Sequence, residues 1–159
     1  MTQTHFSQIG TFHLVTNTRH HVPWCILPGI PEIIMDNLIM SKRLYNVRLY
    51  AFCIMPNHVH IIARALEKGI SPFMQSFKRN TSWHIKQLLP PAAEIHESPL
   101  RMMGMKYEYV MRHNKYLWQK GFYDERIKND VQLSTALRYV RNNAYGHRLV
   151  AKPENWPWS

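Results

Sequence analysis

Two histidines separated by one residue, His58 and His60, stand in the run Met55-Pro56-Asn57-His58-Val59-His60-Ile61-Ile62. In an extended strand, residues two apart face the same side, so both imidazoles project together just past a Pro-Asn turn. Two neutral imidazoles side by side are half of a divalent-metal site. Cores and surfaces also hold such pairs with no ion, and the spacing alone leaves both readings open. Near the C-terminus, at about 100° per residue, Leu133, Leu137, Val140 and Ala144 form one apolar stripe of a helix. Gln132, Tyr139 and Asn143 cluster roughly 130° away from it. Tyr139 and Asn143 are four apart and so are neighbours on the helix surface. A tyrosine there is either an amphipathic packing residue or a phenol offered to a substrate.

These groups need a scaffold, and the pattern of apolar residues describes one. Gly10 to Arg19 alternates apolar and polar residues, many of them β-branched, and predicts a half-buried strand. Pro31 to Asn46 carries Ile33, Ile34, Leu38, Ile39 and Leu44 at helical spacing, with Pro31 suited to the first turn. Val47–Met55 and Val59–Ala65 are β-prone runs joined by Pro-Asn turn chemistry, which predicts a hairpin. A second helix is expected from Ser71 to Leu89, with Phe73, Met74, Phe77, Ile85 and Leu88 as its stripe, stopped by Pro90-Pro91. Residues 92–116 predict an irregular insertion. Phe122–Ile127 predicts a last strand, and Asp130 is expected to cap a helix running to Tyr145. The sum is a single α+β domain over 1–159, an antiparallel sheet with helices on one face.

Composition narrows the function. The chain has 159 residues, 45% of them hydrophobic, with 20 Lys plus Arg against 10 Asp plus Glu. A net charge of +10 points to a polyanion partner. Two cysteines, Cys25 and Cys53, form neither a disulfide framework nor a thiolate zinc site, and they suit a reducing compartment. The opening MTQTHFSQIG predicts no secretory signal. The longest apolar stretch is broken by Pro56, Asn57, His58, His60 and Arg64, which excludes it as a membrane span. Glycine motifs that cradle phosphates are absent, so nucleotide hydrolysis has no support.

Four segments in order resemble one family, the single-tyrosine HUH transposases of the IS200-like group, and within them the REP-associated tyrosine transposases. They are MPNHVHII, then WQKGFYDERIKND (Trp118 to Asp130), LRYVRNN (Leu137 to Asn143) and the ending NWPWS. The resemblance implies a ferredoxin-like fold, with helices packed on an antiparallel sheet. It implies that His58 and His60 hold a divalent metal with Asn143 as third ligand, and that Tyr139 is the nucleophile. Family members often have Asn-Pro after the third ligand, whereas this chain has Asn143-Ala144. Ala continues a helix where Pro would not, so a helix running on past Asn143 is expected.

The implied reaction is cleavage and rejoining of single-stranded DNA at or near hairpins through a covalent 5′-phosphotyrosine. Phenols are poor nucleophiles near neutral pH, with an ordinary pKa of about 10, so position and electrostatics must supply the rate. Mg²⁺ or Mn²⁺ is the expected metal, with Ni²⁺ or Zn²⁺ able to substitute in vitro, and no small-molecule cofactor is needed. Hairpin DNA as partner implies a cytoplasmic, nucleoid-associated protein; the family includes both monomers and dimers that exchange the catalytic helix. Candidate phosphate contacts are Arg19, Lys78, Arg79, Lys86, Arg112, Lys115 and Lys120, and Trp83 and Tyr116 could stack unpaired bases. Trp118 reads as core. Two rival functions are a non-catalytic hairpin-binding protein on the same fold and a hydrolase of small phosphoesters using His-x-His alone.

Overall fold

The computed structural model describes residues 9–88 and 116–159. The insertion expected at 92–116 therefore lies outside the described residues except for Tyr116, and so do the candidates Arg112 and Lys115. The described elements are β1 (Gly10–Asn17), α1 (Ile30–Leu44), β2 (Val47–Met55), β3 (His58–Ala65), α2 (Ile70–Leu88), β4 (Tyr123–Ile127) and α3 (Asp130–Gly146). The four strands form one sheet in the order β2-β3-β1-β4, with every neighbouring pair antiparallel. A β-α-β-β-α-β path in that order is the ferredoxin-like arrangement, and α3 is added after it.

Residue types explain the boundaries. Gly29 takes a left-handed φ of 80° ahead of α1, a conformation that costs glycine nothing, and Pro31 fills the first turn behind it. Met55 pairs with His58, so Pro56 and Asn57 alone make the turn of the β2–β3 hairpin. β1 ends at Asn17, two residues before the expected Arg19, which instead sits in a short 3-10 turn, Arg19–His21. The cap of α3 is Asn129 rather than Asp130. Asn129 Oδ1 accepts from Gln132 N at 2.9 Å, and Gln132 Oε1 accepts from Lys128 N at 2.7 Å, a reciprocal bracket of the kind that fixes helix starts. The helix then runs through Ala144 to Gly146, past the point where proline would have stopped it.

One expectation is corrected: the helices do not share a face. On one side of the sheet, Phe12, Leu14, Ile54, Val59, Ile61 and Ala63 join the core built with Ile34 and Leu38 of α1 and Phe73 and Phe77 of α2. On the other side, Cys53, Met55 and Ile62 pack with Val140 and Ala144 of α3, and Leu133, Leu137 and Ile127 lie against them. The reason lies in β3. Val59, Ile61 and Ala63 alternate with Ile62, and all are fully buried. A strand apolar on both faces needs cover on both, and a buried isoleucine is worth about 1.5–3 kcal/mol relative to an exposed one. The α3 stripe read from the sequence supplies the second cover.

The C-terminal tail closes an edge. Ile54 N donates to Trp158 O at 2.9 Å, and Trp156 Nε1 donates to Ile54 O at 3.0 Å. Edge strand β2 thus has both main-chain groups of Ile54 satisfied by the tail, where an open edge would pair with other strands.

Candidate active site

β3 alternates, so His58, His60 and Ile62 face the α3 side while Val59 and Ile61 face the main core. The two imidazoles converge as the spacing predicts, with His58 Nε2 and His60 Nε2 3.1 Å apart. The hairpin turn orients the first ring, since His58 Nδ1 donates to Asn57 Oδ1 at 2.7 Å. An amide oxygen only accepts, so the His58 proton sits on Nδ1 and the Nε2 lone pair is free. Two nitrogens bound at right angles to one ion, each about 2.1 Å away, lie about 3.0 Å apart. The observed separation matches that edge.

Helix α3 brings the remaining groups to the same face. Its stripe docks Val140 and Ala144 on the sheet, which fixes the rotation of the residues between them. Asn143 is buried, and its Oδ1 has no hydrogen-bond partner. Such an oxygen costs free energy unless something cationic or protic meets it. Tyr139, one turn earlier, is 53% exposed. Its ring stands edge-on to His60, with centroids 5.6 Å apart, and to His13 at 5.8 Å. The structure therefore brings His58, His60 and Tyr139 together and aligns Asn143 a turn from the tyrosine.

The donor set suits a divalent cation of borderline hardness. Among the described residues no group of three or more His, Cys, Asp or Glu is placed to hold a metal. The buried, unpaired oxygen of Asn143 is an amide donor on the helix that covers this face. Burial also keeps both rings in their neutral form. Burial, with the charges of His147 and His21 adding to it, pushes His58 down to about 4. Burial, then His58, His13 and His147, pushes His60 down to about 3. Both rings stay neutral near pH 7, the form that binds metal.

Three residues around the pair are absent from the sequence-based set. His13 of β1 is buried, and its Nε2 lies 3.0 Å from His60 Nδ1 in a stacked arrangement. His147, at the C-terminal cap of α3, has its ring 6.3 Å from that of His58. His21 lies in the 3-10 turn and accepts from Gln119 Nε2 at 3.2 Å. The alternation Thr11, His13, Val15 was visible in the sequence, but which face it served depends on the pairing with β3.

The DNA-contact candidates divide. Arg19 N donates to Leu117 O at 2.7 Å, which brings the 3-10 turn against the segment holding Tyr116 and Lys120, both exposed. Lys78 faces inward: its Nζ donates to Gln119 O at 2.7 Å and to Gly121 O, and burial lowers it to about 8. It fastens the 119–121 loop rather than standing in solvent as a phosphate contact. Arg79 is exposed beside it. Trp83, 59% exposed, packs edge-on against His84, and partly buried Lys86 follows one turn on. Trp118 is core, as expected, against Trp24 and Phe77. Among the described residues no helix is long and apolar enough to cross a membrane.

An α+β sheet of this order, with a histidine pair on one strand and a tyrosine on a following helix, defines a class, and sequence comparison supplies the family. The profile described as "Transposase IS200 like" matches residues 10–100, and the chain belongs to that family. The matched span runs from β1 through α2 and includes both histidines; α3 lies beyond it. Over 115 residues the chain is 24% identical to a Haemophilus influenzae protein named as a REP-associated tyrosine transposase, covering 72% of this chain and 59% of the relative. The chain thus spans about three-fifths of that relative's length. Among solved structures, a REP-associated tyrosine transposase bound to a REP hairpin aligns with a TM-score of 0.72 and 17% identity, over 99% of this chain and 79% of the other. A Deinococcus radiodurans protein described as a transposase aligns at 0.51 and 16%, over 89% and 97%. At these identities the structural likeness is one of fold.

Proposed function

We propose that this protein cleaves and rejoins single-stranded DNA at or near hairpins, with Tyr139 as nucleophile and with Mg²⁺ or Mn²⁺ held by His58, His60 and Asn143. The observation that carries the reading is the meeting of two imidazole Nε2 atoms 3.1 Å apart with a helix that presents a buried, unpartnered amide oxygen and a tyrosine on that same face. Family membership and the +10 charge agree with a DNA substrate. The likeness to a hairpin-bound transposase and to the Haemophilus influenzae protein supports repetitive palindromic elements as the substrate class. Such work belongs at the chromosome, in the cytoplasm.

The chain's own residues define the step. Tyr139 Oη attacks the scissile phosphorus in line; the Oη–P bond forms as the bond to the 3′-oxygen breaks. The phenol gives its proton to solvent, and the departing oxygen takes one up as a 3′-hydroxyl. The 5′-phosphate stays on the tyrosine, so the bond energy is stored and a 3′-hydroxyl can reverse the attack. Edge contacts with His13 and His60 hold the tyrosine ring, and anchorage of α3 through Val140 and Ala144 holds its backbone. A bound divalent cation would draw negative charge from a non-bridging phosphate oxygen.

The test is covalent trapping. A labelled hairpin oligonucleotide is incubated with the protein and Mn²⁺, then resolved under denaturing conditions. A protein–DNA adduct is expected for the natural chain and none for Tyr139→Phe. Hairpin binding without adduct in the natural chain refutes the reading in favour of the non-catalytic hairpin-binding rival.

A further inference from the structure

His13 is buried, and besides its edge contact with Tyr139 it meets His60 through a ring nitrogen that the proposed step does not use. Its place is set by the sheet. His13 lies directly opposite Glu125 of β4, and side chains so paired have Cβ atoms about 4.5–5.5 Å apart on one face. Burial holds the His13 pKa below its ordinary value, and the Glu125 carboxylate partly opposes that shift. On the other side, His13 Nε2 is 3.0 Å from His60 Nδ1. Glu125 is thus directly opposite His13 and His60 diagonally opposite it, since His13 pairs with Ile62 and His60 with Val15, and the chain of side chains ends at the Nε2 atom that faces His58.

The geometry points to His13, backed by Glu125, as the positioning residue that sets the tautomer of His60 for metal binding; the inference rests on the metal site proposed above. A neutral imidazole carries one N–H. If His60 carries it on Nε2, that hydrogen points at His58 Nε2 and occupies the space an ion needs. If His60 carries it on Nδ1, it donates to His13 Nε2, and the Nε2 lone pair joins that of His58. The second state requires His13 to hold its own proton on Nδ1, and a neighbouring carboxylate favours an N–H over a bare lone pair. No net charge changes between the two states. Such outer partners of ligating histidines typically govern about 10–100-fold of metal affinity.

Calorimetric titration of the full chain with Mn²⁺ tests this. His13→Phe keeps a ring and removes both nitrogens; its Kd is expected to rise about 10–100-fold. His13→Gln returns an acceptor oxygen near the Nε2 position, and its affinity is expected to recover most of that loss. Glu125→Gln keeps the size and removes the charge, and a smaller rise of about 3–10-fold is expected, below the roughly 10–100-fold typical of a direct partner because Glu125 acts through His13. Because Glu125 is exposed, this variant still decides the matter if His13→Phe does not fold. His58→Ala separates the two levels of the argument. If it abolishes binding while His13→Phe and Glu125→Gln bind as the natural chain does, the relay is overturned and the metal site stands. Equal losses in His13→Phe and His13→Gln also overturn it, since packing alone would then explain them. Absence of Mn²⁺ binding in the natural chain overturns both.

Discussion

Replacing Asn143 by leucine should make the metal-free protein more stable and the metal-loaded protein less so relative to the natural chain. Asn143 is 5% exposed, its Oδ1 has no partner, and its neighbour Ala144 is fully buried. A buried acceptor left unpaired costs about 1–3 kcal/mol. Leucine has the same branching and number of side-chain heavy atoms and no polar atom, so Asn143→Leu removes that penalty beside the apolar cluster under α3. A net gain of about 1–2 kcal/mol is expected, or about 3–6 °C in melting temperature at this chain length. With Mn²⁺ the order reverses once the variant's affinity falls by more than about tenfold. At a concentration 100 times Kd, binding adds about 2.7 kcal/mol to the natural chain. Each tenfold loss of affinity in the variant removes about 1.4 kcal/mol of that gain. Thermal melts of both proteins, with chelator and with saturating Mn²⁺, read the double difference directly. A metal-free variant that melts below the natural chain would refute the reasoning, because the amide would then be making a structural bond. A Mn²⁺-induced shift equal in both proteins would remove Asn143 from the ligand set.

Other outcomes follow from the same structure. Tyr139→Phe should abolish the covalent adduct and leave hairpin affinity within about twofold, since a half-exposed ring loses only its hydroxyl; gel-shift and trapping assays check the two arms. In chelator, stability should fall with acid: the folded-state values of His58 and His60, about 4 and about 3, lie below the ordinary 6.5 or so, and the unfolded chain therefore takes up protons first. The contribution is complete above about pH 6.5 and is lost as pH falls toward 4; denaturant midpoints at pH 7 and pH 5 should show this, with a smaller change in His58→Gln. DNA affinity should depend steeply on salt, with about four to eight phosphate contacts each adding roughly 0.7–0.9 to the log-log slope, and a hairpin should bind more tightly than blunt duplex of equal length; a flat slope in filter binding contradicts the first. Lys78→Met leaves the carbonyls of Gln119 and Gly121 without their partner, and a loss of about 1–3 kcal/mol is expected in chemical unfolding.

The strands and the histidine pair were legible because a period of two is unambiguous. MPNHVHII sets the turn, the pairing partner and the shared face of His58 and His60 in eight residues. The helical arithmetic for Leu133, Leu137, Val140 and Ala144 likewise set Tyr139 and Asn143 off the packing stripe. What was not legible needed two segments at once. His13 looks like any alternate residue of a half-buried strand until β1 is paired with β3 on one side and β4 on the other. Lys78 reads as one more cation on a basic helix, and only the approach of the 119–121 loop turns it into a brace. The placing of α3 on the far face follows from Ile62, whose significance appears once its neighbours Ile61 and Ala63 are seen facing the other way.

The two-sided sheet is also what makes the site possible. A ferredoxin-like unit with helices on one face alone would leave His58, His60 and His13 in water, where their rings would titrate near pH 6.5 or so and charge repulsion would oppose a cation. Docking α3 across β2 and β3 buries that face around Cys53, Met55 and Ile62 and holds the histidines neutral. The same docking carries Tyr139 to His13 and His60, with Asn143 one turn further along the same helix. Alanine at 144 keeps the helix continuous through Gly146, so that His147 N reaches Asn143 O at 3.0 Å and the His147 ring comes to the edge of His58. A proline there would remove the main-chain donor of residue 144 and bend the turn that presents Asn143. The departure from Asn-Pro therefore sets the length of the helix and keeps Asn143 within its regular turns.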